Sequence, residues 1–314
     1  MSILFDERTP TLVYGFPGED ALFYSNVMLD YGTTVVGGVA AREPLERFLG
    51  RPVFATAGQC VRETGASAAI VFAEAQAVTD AVLDVADAGI RLMVVVTHGR
   101  KVPLRDKLTI RRSLGRSPEG DRPLLLGPDA AGILSAGKAM IGVMPPHIFA
   151  RGPVGIVTRS ASLGYEAAAQ LTALGVGQST FVGLGADQVC GASYGDILAR
   201  FESDPDTHAV LLIGEGGGPA EAAAAEFARG MSKPVVSFLP EPPRPSGRAA
   251  LADRIVAAFG EEDRDRSQRA AAEFTLPVPD STRLGATVLD ALTRYAAGHR
   301  PGRSGGGGGD GGGP

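Results

Sequence analysis

Residues 69–96 read AIVFAEAQAVTDAVLDVADAGIRLMVVV. The stretch opens on a short apolar run, Ala69 to Phe72, and closes on another, Arg91 to Val96. Between them Val78, Ala81, Val82, Val85 and Ala86 recur at helical spacing, with Asp80, Asp84 and Asp87 turned outward. The closing run has no alternating polar side for water, so it predicts a parallel strand covered on both faces. Strand, helix and strand of these lengths make a right-handed crossover unit.

The same alternation extends in both directions. Upstream, Thr11 to Tyr14 predicts a strand ending at Gly15. A helix should follow Gly18 and run to about Tyr31, and Thr33 to Val36 is the next strand. Downstream, Leu124 to Leu126 closes this half, and a Gly- and Pro-rich stretch, 127–152, reads as a connector. A second alternation then places strands at Val154–Val157, Ser179–Val182, Val210–Ile213 and Val235–Leu239, with helices starting near Ser162, Ser193, Pro219 and Gly247. The expected fold class is α/β, with two doubly wound parallel-sheet domains. The first, 1–127, is Rossmann-like. The second, 128–303, is flavodoxin-like, with 128–152 as its connector. The final stretch, 304–314, SGGGGGDGGGP, cannot bury apolar surface and is expected to be a disordered tail.

The 314 residues suffice for two cores, and 44% hydrophobic with 21% charged residues is a soluble composition. A formal net charge of −5 without a basic run argues against a nucleic-acid surface. No apolar run approaches a membrane span. Cys60 and Cys190 form no CxxC pair, and the N-terminus MSILFDERTP has no secretory apolar core, so a reducing, cytoplasmic setting is expected. The histidines, His98, His147, His208 and His299, lack metal-ligand spacing, and no metal site is expected.

Three strand-to-helix turns are candidate sites. Gly15-Phe-Pro17-Gly18-Glu19-Asp20-Ala21 could let the backbone approach a phosphate, or be an acidic first helical turn complementing the dipole. Arg159-Ser160-Ala161-Ser162 with Tyr165 could hold an anion, or simply cap a helix. Gly214-Glu215-Gly-Gly-Gly218-Pro219 suggests close backbone approach to a ligand or partner, or a flexible loop. A fourth segment, 233–256, KPVVSFLPEPPRPSGRAALADRIV, leaves a strand's carboxyl end, where α/β proteins place their chemistry, yet its loop holds no His, Cys or Lys.

Several motifs together resemble the α subunit of the succinate–CoA and malate–CoA ligases: YGTTVVGGV, ADAGIRL, LLGPDAAGI, GPVGIVTRSASLGYEAAAQ, DPDTHAVLLIGEGGG and SKPVVSF. LGYEAAAQ and the insert RRSLGRSPEGDRP are closest to the malate type. The resemblance implies a CoA-binding first domain and a second domain whose histidine is phosphorylated from ATP or GTP held by a β-type ATP-grasp partner. The phosphate then passes to a small dicarboxylate. By the same resemblance, Gly15, Pro17, Gly18, Glu19, Asp20, Glu43, Val96, Thr97 and His98 occupy coenzyme A positions. Ser160, Ala161, Ser162 and Tyr165 occupy the substrate and phosphate cradle, and Glu215 takes the place of the glutamate that steadies the histidine.

The departures fall on these positions. In the family's GRRMGHAGAII, the histidine's place is taken here by Ala252. The glycine loop GxTGxxG has Pro17 and Ala21 for its threonine and last glycine. Glu43 stands where TPGKGG supplies a lysine, and ITEGIP becomes 96–101, VTHGRK. The expectation is weak or lost coenzyme A binding and no phosphohistidine. Two further readings are a non-catalytic paralogue that regulates a β-type subunit and a sensor of small carboxylates or phosphates.

Overall fold

The structure, a computed structural model, describes residues 3–40, 47–118, 121–185, 189, 191–215, 218–240, 269–273 and 275–297. Expectations that fall on Glu43, Gly216, Gly217, Gly247, Ala252 and the 304–314 tail lie outside the described residues.

The first sheet follows the alternation read from 69–96. β1 (Thr11–Phe16) lies at its centre between β2 (Val35–Ala40) and β5 (Ala68–Phe72), and β6 (Leu92–Val96) and β7 (Leu124–Leu126) extend it. These pairs are parallel. On the other side β4 (Arg51–Phe54) pairs parallel with β2, and β3 (Arg47–Phe48) pairs antiparallel with β4. The crossovers are α1 (Glu19–Tyr31), α2 (Ala57–Thr64), α3 (Val78–Asp87) and α4 (Leu104–Leu114).

In the second sheet β10 (Arg151–Thr158) lies between β12 (Ala209–Ile213) and β11 (Gln178–Gly183), with β13 (Val235–Phe238) and β14 (Leu276–Pro277) beyond β12. These pairs too are parallel. Helices α5 (Ala161–Ala173), α6 (Tyr194–Ser203), α7 (Pro219–Arg229) and α8 (Leu284–Ala296) cover it.

The stretch read as a connector carries structure of its own. β8 (Gly132–Ser135) and β9 (Ala139–Gly142) form an antiparallel hairpin, and β8 joins the edge of the second sheet at β11. Glycine is what the base of this hairpin requires. Gly132 and Gly142 face each other at φ +113° and +154°, and a Cβ on them would lie 2.2 Å from Ile141 O and from Ala131 O, respectively. The glycines that made the stretch read as a linker are therefore the ones that let two short strands close on each other.

Alternation along the first sheet divides its side chains between two cores. Leu12, Val71 and Val95 pack with Val78, Val82, Val85 and Ile110 from α3 and α4. Val13, Ile70 and Val94 face the other way, into a core shared with Ile133, Ile141, Phe181 and Val210 of the second sheet. One apolar core thus spans both sheets. The C-terminal end of α1 seals the hairpin to it. Gly137 N–H donates to the Tyr31 hydroxyl at 3.1 Å. Thr33 Oγ1 donates to Met140 O at 2.6 Å and accepts from Met140 N at 3.0 Å.

Candidate active site

β1 and β5 are neighbours whose crossovers depart in opposite senses along the sheet, so a crevice opens beyond their carboxyl ends. It is a cavity of about 590 Å³ walled by the ends of β1, β5 and β6 and the first turn of α1. Gly15 (φ +119°) makes the turn possible, because a Cβ there would lie 2.3 Å from Phe72 O. Gly18 caps α1 with no side-chain hydrogen bond, leaving the first N–H groups of the helix at the cavity wall.

Gly15, Pro17, Gly18, Glu19, Asp20, Val96, Thr97 and His98 all line this one cavity, as does Ala21. They come from two separate strand ends, those of β1 and β6. Thr97 is buried, and its hydroxyl has no hydrogen-bond partner among the described residues. Such an orphaned group fits a ligand that reaches the wall. Phe72 stacks with Tyr24 and with His98, ring centroids 6.0 and 6.4 Å apart. His98 Nε2 lies 3.0 Å from Asp20 Oδ2, and Arg100 pairs with Glu74. The described lining carries four carboxylates, Glu19, Asp20, Glu74 and Asp80. Burial pushes the Tyr14 hydroxyl above its ordinary pKa, with Asp84 and Asp80 adding to the shift.

The second cluster sits at the carboxyl ends of β10, β11 and β12. Ser160 caps α5, its hydroxyl accepting from Leu163 N at 3.5 Å, and Ser162 Oγ lies 3.4 Å from Ser160 Oγ. Capping is thus present at a length near the limit of a hydrogen bond. Tyr165 packs on Phe181, and burial, with Tyr24 adding, pushes its hydroxyl up to about 12.

Arg159 is buried, donates to Gly185 O at 3.0 Å and lies over the Tyr194 ring at 5.2 Å. Tyr194 donates to Ile213 O at 2.9 Å, and its hydroxyl is raised by burial first and Glu221 second. Glu215 is exposed two residues beyond β12, and its N–H donates to Glu221 Oε1 at 3.3 Å. Loss of surrounding solvent raises the Glu215 carboxyl, Glu221 and Asp129 push the same way, and Arg159 opposes. Glu221 is itself buried, with Oε2 lacking a partner among the described residues.

Sequence reasoning named Arg159 and Glu215 here but missed Tyr194 and Glu221, and at the first cavity it missed Glu74. A Ser193-to-Asp196 capping box signalled the helix that carries Tyr194. Nothing local signalled that its ring would meet Arg159. Among the described residues no His, Cys, Asp and Glu group could hold a metal ion. No described helix is long and apolar enough to cross a membrane.

Two family profiles match the chain, the CoA binding domain over residues 6–99 and CoA-ligase over 157–239. The malate–CoA ligase subunit alpha of Methylorubrum extorquens is 43% identical over 298 residues, covering 94% of this chain and 100% of that one. The chain belongs to the CoA-ligase α-subunit family. Another member, the ADP-forming succinate–CoA ligase subunit alpha 1 of Archaeoglobus fulgidus, is also 43% identical, over 93% of this chain and 96% of that one. Among solved structures, the ATP citrate lyase of Methanothrix soehngenii, in complex with citrate and coenzyme A, matches with a TM-score of 0.76 at 19% identity. That likeness shows the shared α/β fold. It covers 94% of this α-type chain, which spans about half (51%) of the lyase chain. The first cavity, with every described residue expected at a coenzyme A position, lies at the heart of the CoA-binding match.

Proposed function

We propose that this chain is an α-type subunit that binds coenzyme A in the first-sheet cavity, more weakly than its relatives, and acts with a β-type ATP-grasp partner that holds the nucleotide. The carrying observation is the convergence of Gly15, Gly18, Val96, Thr97 and His98 on one cavity at a switch point, within the matched CoA-binding region. The cavity volume, the orphaned Thr97 hydroxyl and the uncapped helix start fit the thioester-forming nucleotide. Bound there, coenzyme A would supply the attacking thiol, while the residues of this chain position it. The acidic lining is what weakens the fit. Glu19 and Asp20 occupy the helix turn that would face a pyrophosphate, and like charges brought together in this way cost affinity.

In the second domain, Ser160, Ala161, Ser162 and Tyr165 form a small-anion cradle suited to a dicarboxylate or phosphate, with Arg159 buried behind it. Glu215 stands beside the cradle without the histidine it steadies in the family, a reading supported by the resemblance of 247–255, GRAALADRI, to the family's histidine motif, with Ala252 in the histidine's place. The phosphorelay of the family is therefore not carried by this chain. Its role is to dock, stabilise or regulate the partner. Calorimetry tests the coenzyme A part of this reading. Binding weaker than low-micromolar is expected, and low-micromolar affinity of the isolated chain would overturn it. Co-expression with the ATP-grasp chain encoded nearest to it tests the partner. A stable heteromer is expected, and a strictly monomeric chain would refute that half.

A further inference from the structure

The described cavity lining contains four carboxylates and one permanently cationic side chain, Arg100. Its position is fixed by backbone strain. His98 and Gly99 both lie in the left-handed region, at φ +50° and +74°. Arg100 N–H closes the turn onto Thr97 O at 3.1 Å, and Gly99 N–H donates to Asp129 Oδ1 at 2.7 Å. A non-glycine residue held at positive φ by bonds on either side is a built feature of the loop. The turn delivers the guanidinium to the cavity wall, where it pairs with Glu74 from the end of β5. Both side chains remain about half exposed, 58% and 47%, so this pair is weak and exchangeable. The sequence departs from the family motif at this same residue, with arginine in place of an apolar side chain.

We infer that Arg100 is the cation that receives the diphosphate of the coenzyme A-type ligand, and that Glu74 is its resident competitor. This rests on the reading of the first cavity as a coenzyme A site. With a ligand absent, Glu74 neutralises Arg100. When a diphosphate enters, the guanidinium exchanges one carboxylate for phosphate oxygens, which it can engage with two parallel N–H groups. By the resemblance, the sequence loses a lysine at Glu43 and gains a cation at Arg100, at the end of β6.

The test is calorimetric titration of the full chain and of Arg100→Gln, Glu74→Gln and the double variant. Two probes are used, coenzyme A and pantetheine, which lacks the phosphates. Circular dichroism checks that each variant is folded. Arg100→Gln is expected to weaken coenzyme A about tenfold, the worth of one charge-assisted contact. Pantetheine should bind it unchanged. Glu74→Gln should tighten coenzyme A about two- to fivefold, as removal of a half-exposed competitor allows. If the unaltered chain binds too weakly to measure, Glu74→Gln against the double variant reads the same loss. If Arg100→Gln binds coenzyme A as well as the unaltered chain, or weakens both probes alike, the inference fails and the cavity reading stands. If coenzyme A binds to none of the four proteins, both fail.

Discussion

Thr33→Val removes the hydroxyl that ties α1 to the β8–β9 hairpin while keeping the side chain's shape. Thr33 and Met140 are both buried, and Met140 N–H and C=O each have Thr33 Oγ1 as partner. β9 is the outer strand of its sheet, so at Met140 both backbone groups point away from β8 and toward Thr33. Valine leaves both unsatisfied in an apolar core. Each such group costs about 1–3 kcal/mol, and the added methyl recovers less than about 1 kcal/mol. The expected loss is about 1–5 kcal/mol, or roughly 2–8 °C in Tm for a chain of this size. Urea unfolding followed by circular dichroism measures it. Thr109→Val is the control, because its hydroxyl bonds Arg105 O at 2.9 Å on an exposed helix face. That change should cost under about 0.5 kcal/mol. Equal midpoints for the two variants would refute the claim that Thr33 seals the hairpin and joins the sheets.

Gly155→Ala should destabilise by about 1–3 kcal/mol, since its Cβ would lie 2.5 Å from the ring of Phe201, which is fully buried and has nowhere to move; an unchanged unfolding midpoint would contradict the packing described. Glu215 has a raised pKa in the folded state, so the folded protein binds its proton more tightly than the unfolded chain. Its contribution to stability is therefore most favourable at low pH and is lost as pH rises from about 4.5 through the folded pKa. Glu215→Gln should gain on the unaltered protein over that window, and a gap that narrowed with rising pH would show the opposite sign.

The parts of the fold legible in sequence were those with one dominant physical signal. Apolar runs gave β5, β6, β10 and β12, apolar stretches interrupted or preceded by Ser or Thr gave β11 and β13, and the spacing of Val78, Val82 and Val85 gave α3. The β8–β9 hairpin was hidden because its strands are four residues each and bounded by glycines, so they resemble a linker until their pairing is seen. β3, β4, α2 and α4 were also unread. α4 exposes Leu104 and Leu108 while burying Ile110 and Leu114, which blurs the helical stripe. In the site, strand-end position pointed to Gly15, Gly18 and His98, and the family resemblance added Val96 and Thr97; all five line one cavity. The pairings Arg100 with Glu74 and Arg159 with Tyr194 join segments far apart in sequence. No local pattern encodes which partner a side chain meets across a crevice.

The account turns on whether this chain carries a phosphorylated intermediate. Incubation with labelled ATP and GTP, with and without the β-type partner, followed by acid and base treatment, tests this most directly. By the sequence resemblance Ala252 takes the histidine's place, and of the described histidines His98 lines the first-sheet cavity rather than the Ser160 cradle, while His147 and His208 precede the amino ends of β10 and β12, so no acid-labile, base-stable label is expected. Ala252→His alone should not restore turnover, because Leu251 and Arg254 replace the flanking glycines of the family motif. An acid-labile, base-stable label mapped to any residue of the unaltered chain would contradict the account.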